Sequence, residues 1–354
     1  LNFIDKEISR AAFLRSRSKF GEAARVYMGL LKKSGLDPLQ KAEAHQNAGD
    51  CLRLQGDFTG AKSHAREAAK LFTKVGSPRL VDAQVSLALA LRASGDPQKA
   101  VGLLQKALKF YEADDDEDGI VFCQWALGGT LRIAGNLKDG WKHLKKAEAL
   151  YAASGDKEGL GYTHCALGGL ARMLGHYDES GRHYQAANRL HQQRKDTFGT
   201  AYSYCGMGNV ERMNGRLENA LTFFRKAEKL YKRIGDKVSY AYTRWSMGMA
   251  CKLEGDLKGA KENFDAADGF FKTTGDLRGR SYVALGRAEL LWMADKNGEP
   301  ERKKAEAFAK AGGYAWELLH AKVMKGGKAA SNAKKMYAMM GSKFYPRDVA
   351  VNWP

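Results

Sequence analysis

Between residues 217 and 231 the side chains Leu217, Ala220, Leu221, Phe224, Ala227 and Tyr231 return at intervals of three and four, with mostly charged or amide residues between them. That spacing places them along one stripe of an α-helix. The preceding stretch predicts a second helix, from Asp196 to about Met213. Asp196 can cap its start, because a carboxylate there accepts a free N–H of the first turn. Gly215 stops it, since glycine enters the left-handed C-cap conformation without penalty. The second helix then starts near Leu217 and ends at Ile234 and Gly235.

This helix–turn–helix unit recurs. Gly56, Gly95, Gly135, Gly175, Gly215 and Gly255 are spaced 39, 40, 40, 40 and 40 residues apart. Asp156, Asp196, Asp236 and Asp276 keep the same period, as do Tyr162, Tyr202, Tyr242 and Tyr282, with Phe122 ahead of them. A small residue stands seven before each repeat glycine (Gly49, Ala88, Gly128, Gly168, Gly208, Gly248) and another five after it (Ala61, Ala100, Gly140, Ser180, Ala220, Ala260). Paired small columns let the two helices of a unit approach closely. Several columns sharing one period identify a repeat architecture.

The units resemble tetratricopeptide repeats. The features that carry this are the Leu-Gly of Ala166–Gly168 and its equivalents, the turn glycine, the large residue two later (Phe58, Leu137, Tyr177, Leu217, Leu257) and the small residue five later. The period of 40 is similar to the longer-helix variety of kinesin light chains and bacterial Rap-type regulators rather than the usual 34. The resemblance implies an all-α, right-handed α-solenoid of about seven to eight antiparallel helix pairs. Residues 1–38 would form a degenerate first repeat, with Phe20 and Ala23 in register. Residues 39–278 would form six regular repeats, 279–344 degenerate repeats and capping helices, and 345–354 an extended tail. One departure is that Gln124, His164, Tyr204 and Arg244 stand where the family often has a large apolar residue three before the Leu, while Trp125 and Trp245 are shifted by one.

The candidate site is a column of cations three before the repeat glycine: Arg53, Arg92, Arg132, Arg172, Arg212 and Lys252. At about 100° per residue, Arg172 points roughly 140° away from the core-facing Leu167. The positions four earlier hold Gly129, Gly169, Asn209 and Met249, and those seven earlier Trp125, Cys205 and Trp245 among others. In tetratricopeptide arrays the first helices line the concave groove. The resemblance therefore implies a groove bearing a ladder of cations beside Tyr162, Tyr202 and Tyr242, with Trp125 and Trp245 at two rungs and Asn209 placed to hydrogen-bond a peptide backbone. Arginine holds carboxylates and phosphates through paired hydrogen bonds and stacks on aromatic faces. A second reading stays open: a cation in the last turn of a helix complements its dipole, and duplication would copy it into every unit.

Charge makes the choice of ligand sharper. Lys plus Arg number 58 against 40 acids, a formal +18, which favours anionic partners. The expected function is a non-catalytic scaffold that binds an acidic, partly aromatic protein segment in a basic groove. Two alternatives are RNA or single-stranded DNA in the same groove, whose bases stack while phosphates meet cations, and a peptide-responsive regulatory array. No cofactor, metal or catalytic residue is expected. The calcium-like run EADDDEDG at 112–119 meets Trp125 where the pattern wants Glu, so it reads as an acidic inter-repeat loop. GGKAAS at 326–331 has the wrong order for a phosphate loop, and His176 and His183 read as surface residues. Five cysteines without a C-x-x-C pair suggest free thiols in the cytoplasm. No apolar run approaches the roughly 20 residues of a membrane span. LNFIDKEISR is not a signal peptide, but Leu1 leaves an upstream segment open. The tail FYPRDVAVNWP, non-helical around Pro346, is expected to pack on the last repeat or occupy a groove. The oligomeric state is not fixed by the sequence.

Overall fold

The computed structural model describes residues 3–326, 330–344 and 351–354, and within them every regular element is helical. The N-terminal pairs are α1 (Phe3–Ser16) with α2 (Phe20–Leu31), α3 (Pro38–Gln55) with α4 (Phe58–Lys74), and α5 (Leu80–Ser94) with α6 (Pro97–Ala113). The middle pairs are α7 (Glu117–Ala134) with α8 (Leu137–Ser154), α9 (Lys157–Leu174) with α10 (Tyr177–Gln193), and α11 (Thr197–Met213) with α12 (Leu217–Ile234). The last pairs are α13 (Lys237–Glu254) with α14 (Leu257–Thr274), α15 (Leu277–Met293) with α16 (Glu299–Ala311), and α17 (Ala315–Met324) with α18 (Ala333–Met339). The fold is an all-α, right-handed solenoid, with about nine helix pairs among the described residues, more than the seven to eight expected. The difference has a local cause. The extra pair lies past residue 278, where the turn after α15 places Asp295 (φ 54°) in the left-handed region and no glycine marks it; Ser18 (φ 58°) does the same in the turn of the first pair, which was expected. The expectation for Pro346 falls outside the described residues.

The repeat columns act as their chemistry predicts. The six repeat glycines all have left-handed φ, from 76° to 96°. Asp116, Asp156, Asp196, Asp236 and Asp276 cap the helices that follow, each side chain accepting from a first-turn amide. Asp116 shows that the acidic run at 112–119 is a capped inter-repeat turn. The small columns are where the two helices of a pair meet. A β-carbon at Gly208 would stand 2.6 Å from Phe224 and 3.1 Å from the Ala220 carbonyl. Gly208→Leu is therefore expected to cost about 1–3 kcal/mol by overpacking, measured by urea unfolding.

The solenoid winds until its turns touch. Phe198 of α11 lies edge-on to Phe20 of α2 at 6.1 Å. A β-carbon at Gly56 would collide with Thr274 and Val238 at 2.7 Å. Beyond α18, the Ser342 hydroxyl donates to the Met173 carbonyl (2.5 Å) and the Lys343 amide to that of Leu174 (3.0 Å). Trp316, His320, Tyr337, Phe344 and Trp353 form a buried aromatic cluster that covers the end of the array. Closure of the turns leaves an elongated cavity on the concave side, about 2410 Å³ in volume.

Burial sets an unusual acid at the start of α13. Asp236 is 4% exposed, and desolvation pushes its carboxyl up to about 6 from an ordinary 3.8, against hydrogen bonds from Ser239 that pull it down. The folded state thus binds a proton between pH 4 and 6 that the unfolded chain has released, so this group lowers stability as pH rises through that window. Asp236→Asn keeps an acceptor for the Ser239 amide and removes the charge. Its stability relative to wild type should rise from pH 4 to pH 7, read by urea unfolding across that range; a flat difference would place the Asp236 carboxyl at its ordinary value.

Candidate functional site

The cation column lies in the last turn of the first helix of each unit. Arg53, Arg92, Arg132 and Arg172 line the cavity, together with Trp125, Tyr162, Tyr202, Tyr242, Trp245 and Asn209. Arg92 and Arg132 lean toward the following unit. The Arg92 guanidinium lies 5.9 Å from the Trp125 ring, and its Nη1 stands 2.9 Å from where a Gly129 β-carbon would be. Arg132 reaches past Gly169 to within 3.8 Å of Met173 Sδ. Gly129 is the seat of the Arg92 guanidinium, which a β-carbon there would displace, whereas at Gly169 a β-carbon would touch the Tyr184 hydroxyl at 3.2 Å and meet Arg132 Nη1 only at 3.9 Å.

These cations are poorly satisfied. Among the described residues no carboxylate lies within 4.0 Å of the guanidinium of Arg92, Arg132 or Arg172. Arg53 has only Asp50, at 4.0 Å. Arg53 Nε, Arg132 Nε, and Arg172 Nε and Nη1 are buried donors without an acceptor. Burial holds Arg92 down to about 9, helped by the neighbouring charges of Arg53 and Arg132. Burying a donor or charge without a partner costs free energy, and shifted ionisation of this kind concentrates at functional sites. A cation serving only the helix dipole gains nothing from being buried over the next helix.

The tail resolves the other end of the ladder differently from the sequence expectation. Arg212 and Lys252 are fully buried, do not line the cavity, and are spent inside the fold. Arg212 donates through Nη1 to the Asn352 side chain and through Nη2 to the Trp353 carbonyl (2.8 Å), while Asn352 Nδ2 donates back to the Arg212 carbonyl (2.8 Å). Lys252 bonds to Glu289 and to the Val351 carbonyl (2.8 Å), and the Val351 amide donates to the other oxygen of Glu289 (3.0 Å). Residues 351–354 therefore occupy the concave side by main-chain recognition, with Pro354 reaching the cavity. Asn209 is not free to meet a ligand backbone either: one turn before Arg212, it accepts from that guanidinium (3.0 Å) and donates to the Cys205 carbonyl (3.0 Å).

The aromatic positions divide between contact and packing. Trp125 is half-buried, with an indole N–H that has no acceptor. Trp245 is 5% exposed, donates to the Tyr282 carbonyl (3.3 Å) and lies 5.7 Å from the Arg212 guanidinium. The Tyr162 hydroxyl donates to the capping carboxylate of Asp196 (2.7 Å), Tyr202 stacks on Phe198 and Tyr242 packs edge-on against Phe271. The cavity is polarised as a consequence of the repeat: capping aspartates stand where the first helices begin and arginines where they end.

Sequence reasoning missed one rung. Arg15 also lines the cavity and stands three before the left-handed Ser18, in register with the column. The missing glycine hid it. Arg278 and Tyr282 also line the cavity, but Arg278 is paired with Glu317 at 2.7 Å.

The profile of the tetratricopeptide repeat family matches residues 40–113. No curated protein matches the sequence. Among solved structures, the chain is similar to a Rap protein complexed with Competence and Sporulation Factor, at 12% identity and TM-score 0.62, covering 95% of this chain and 99% of that one. It is also similar to the Rap conjugation gene regulator of the plasmid pLS20 in complex with the Phr* peptide, at 13% identity and TM-score 0.64, covering 87% and 94%. The apo form of the quorum sensor NprR from B. thuringiensis aligns at 16% identity and TM-score 0.54, over 88% of each chain. At these identities the likeness is one of fold. Among the described residues, no helix is long and apolar enough to cross a membrane.

Proposed function

Because the chain is a tetratricopeptide-like repeat array resembling Rap-type and kinesin-light-chain architectures, we propose that it is a non-catalytic scaffold that takes an acidic, partly aromatic peptide segment into its concave cavity. The observation that carries this reading is the run of half-buried arginines Arg53, Arg92, Arg132 and Arg172: buried donors of Arg53, Arg132 and Arg172 lack acceptors, and burial lowers Arg92 to about 9. Carboxylates of an extended peptide supply them, and a charge-assisted hydrogen bond of this kind contributes about 1.5–3 kcal/mol. The unpartnered Trp125 N–H offers a further donor to the peptide backbone. Two of the solved structures of similar fold are described as complexes, one with Competence and Sporulation Factor and one with the Phr* peptide, which supports a ligand-binding role for the array.

A peptide fits this cavity better than a nucleic acid does. Asp82, Asp116, Asp156 and Asp196 line its other edge, where a continuous phosphate backbone would meet like charge. A regulatory role, in which the peptide changes the curvature of the array, is supported by the contacts between successive turns at Gly56 and Phe198, because a ligand that shifts the pitch must make or break them. The five free cysteines fit a reducing, cytoplasmic setting. The test is equilibrium binding of acidic and scrambled-charge peptides to the wild-type chain and to its Arg92/Arg132/Arg172→Gln variant, with single-stranded DNA as competitor. Displacement by DNA at stoichiometric amounts would transfer the cavity to the nucleic-acid reading.

A further inference from the structure

A second polar cluster lies outside the cavity, on three consecutive helices. Glu148 of α8, His164 of α9 and His183 of α10 bring one ligand atom each to within 4.8 Å of one another, the one such set of three among the described residues. None of the three lines the cavity. The two imidazoles face each other through Nδ1 at 3.0 Å. Glu148 Oε1 stands 3.3 Å from His164 Nδ1 and 3.8 Å from His183 Nδ1. The side chains are 16%, 12% and 18% exposed for His164, His183 and Glu148. His183 is thus not the surface residue that the sequence suggested, while His176 stays open at 39%.

We propose that Glu148, His164 and His183 form a zinc-binding site that clamps α8, α9 and α10. Ligand atoms about 2.0–2.1 Å from a tetrahedral zinc ion stand roughly 3.3 Å from one another, and the three observed separations bracket that value. Two imidazoles with one carboxylate are a zinc donor set that leaves a fourth position for water. The partial exposure gives an ion a path in. The second oxygen of Glu148 is held by Lys145, which fixes the carboxylate with Oε1 turned toward the histidines.

The repeat supplies an internal control. His45 and His64 occupy the same two columns three units earlier and also face each other through Nδ1, at 3.1 Å. In the unit immediately before that of His164 and His183, Gln124 replaces the first imidazole and pairs with His143 at 2.6 Å. Among the described residues neither pair has a third ligand close enough to complete a set. The carboxylate of Glu148 is what converts a recurring polar pair into a metal site.

The experiment uses the full chain, free of any polyhistidine tag and stripped with chelator, titrated with zinc chloride by calorimetry and followed by thermal unfolding. One zinc per chain is expected, with a raised Tm. His164→Gln/His183→Gln should lose more than about a hundredfold in affinity, beyond the 10–100-fold of outer-sphere changes, and Glu148→Gln should weaken binding at unchanged helicity. His45→Gln/His64→Gln should bind as wild type does. Cobalt(II) in place of zinc should give the visible absorption of a tetrahedral ion. The proposal is overturned if the stripped chain takes up no zinc, or if the His164/His183 variant, still helical by circular dichroism, retains wild-type stoichiometry and affinity.

Discussion

Neutralising three rungs of the ladder is expected to abolish peptide binding while leaving the fold at least as stable. In Arg92→Gln, Arg132→Gln and Arg172→Gln combined, an acidic peptide loses the contacts of three guanidiniums. If two of these are engaged at once, at about 1.5–3 kcal/mol each, affinity falls by roughly two to four decades. Stability should move the other way or stay level. Each of these guanidiniums is half-buried without a carboxylate near it, and burial already holds Arg92 down to about 9. Removing an unpaired buried charge relieves a desolvation cost. Fluorescence anisotropy with a labelled acidic peptide and urea unfolding of the same preparations read both halves. Retained binding in the triple variant would return the column to the helix-dipole role, and a large loss of stability would make it structural.

The repeat itself was legible because each column has a local cause. A capping aspartate needs only the amides of its own first turn, and a left-handed glycine needs only its own φ. Asp196, Gly215 and the small pair Gly208 and Ala220 could therefore be read from one unit. The irregular ends were less legible, since Ser18 and Asp295 take the left-handed turn without a glycine to announce it. That hid Arg15 and blurred the count of helix pairs after residue 278. The candidate site was legible as a line along the helices but not as a set of partners. Nothing in the 40-residue period says that Asn352, Trp353 and Val351, some 100 to 140 residues downstream, take Arg212 and Lys252 out of the ladder. Nor does it say that Glu148 of one unit meets the histidine pair of the next, because the period fixes spacing along one helix face and leaves the distance between neighbouring faces to packing.

Removing residues 351–354 is expected to return Arg212 to the cavity and to extend the peptide footprint by one rung. In the full chain the Arg212 guanidinium has three acceptors, from Asn209, Asn352 and Trp353. Two of them leave with the tail, and Glu289 loses the Val351 amide that shares it with Lys252. The buried Trp353 ring also leaves its 4.2 Å contact with His320. Loss of a buried tryptophan costs about 3–5 kcal/mol, so the last pairs should unfold at a lower urea concentration. Peptide affinity should rise, by about tenfold or more for a single added charge-assisted contact of about 1.5–3 kcal/mol. The decisive comparison is a cycle with Arg212→Gln. In the full chain that substitution should leave peptide affinity within about twofold, because the guanidinium is already occupied. In the truncated chain it should cancel the gain, since the coupling of residues that share partners appears as an interaction energy in such a cycle. If truncation leaves affinity unchanged at temperatures where α15 to α18 remain folded, the tail caps the array and takes no part in ligand access.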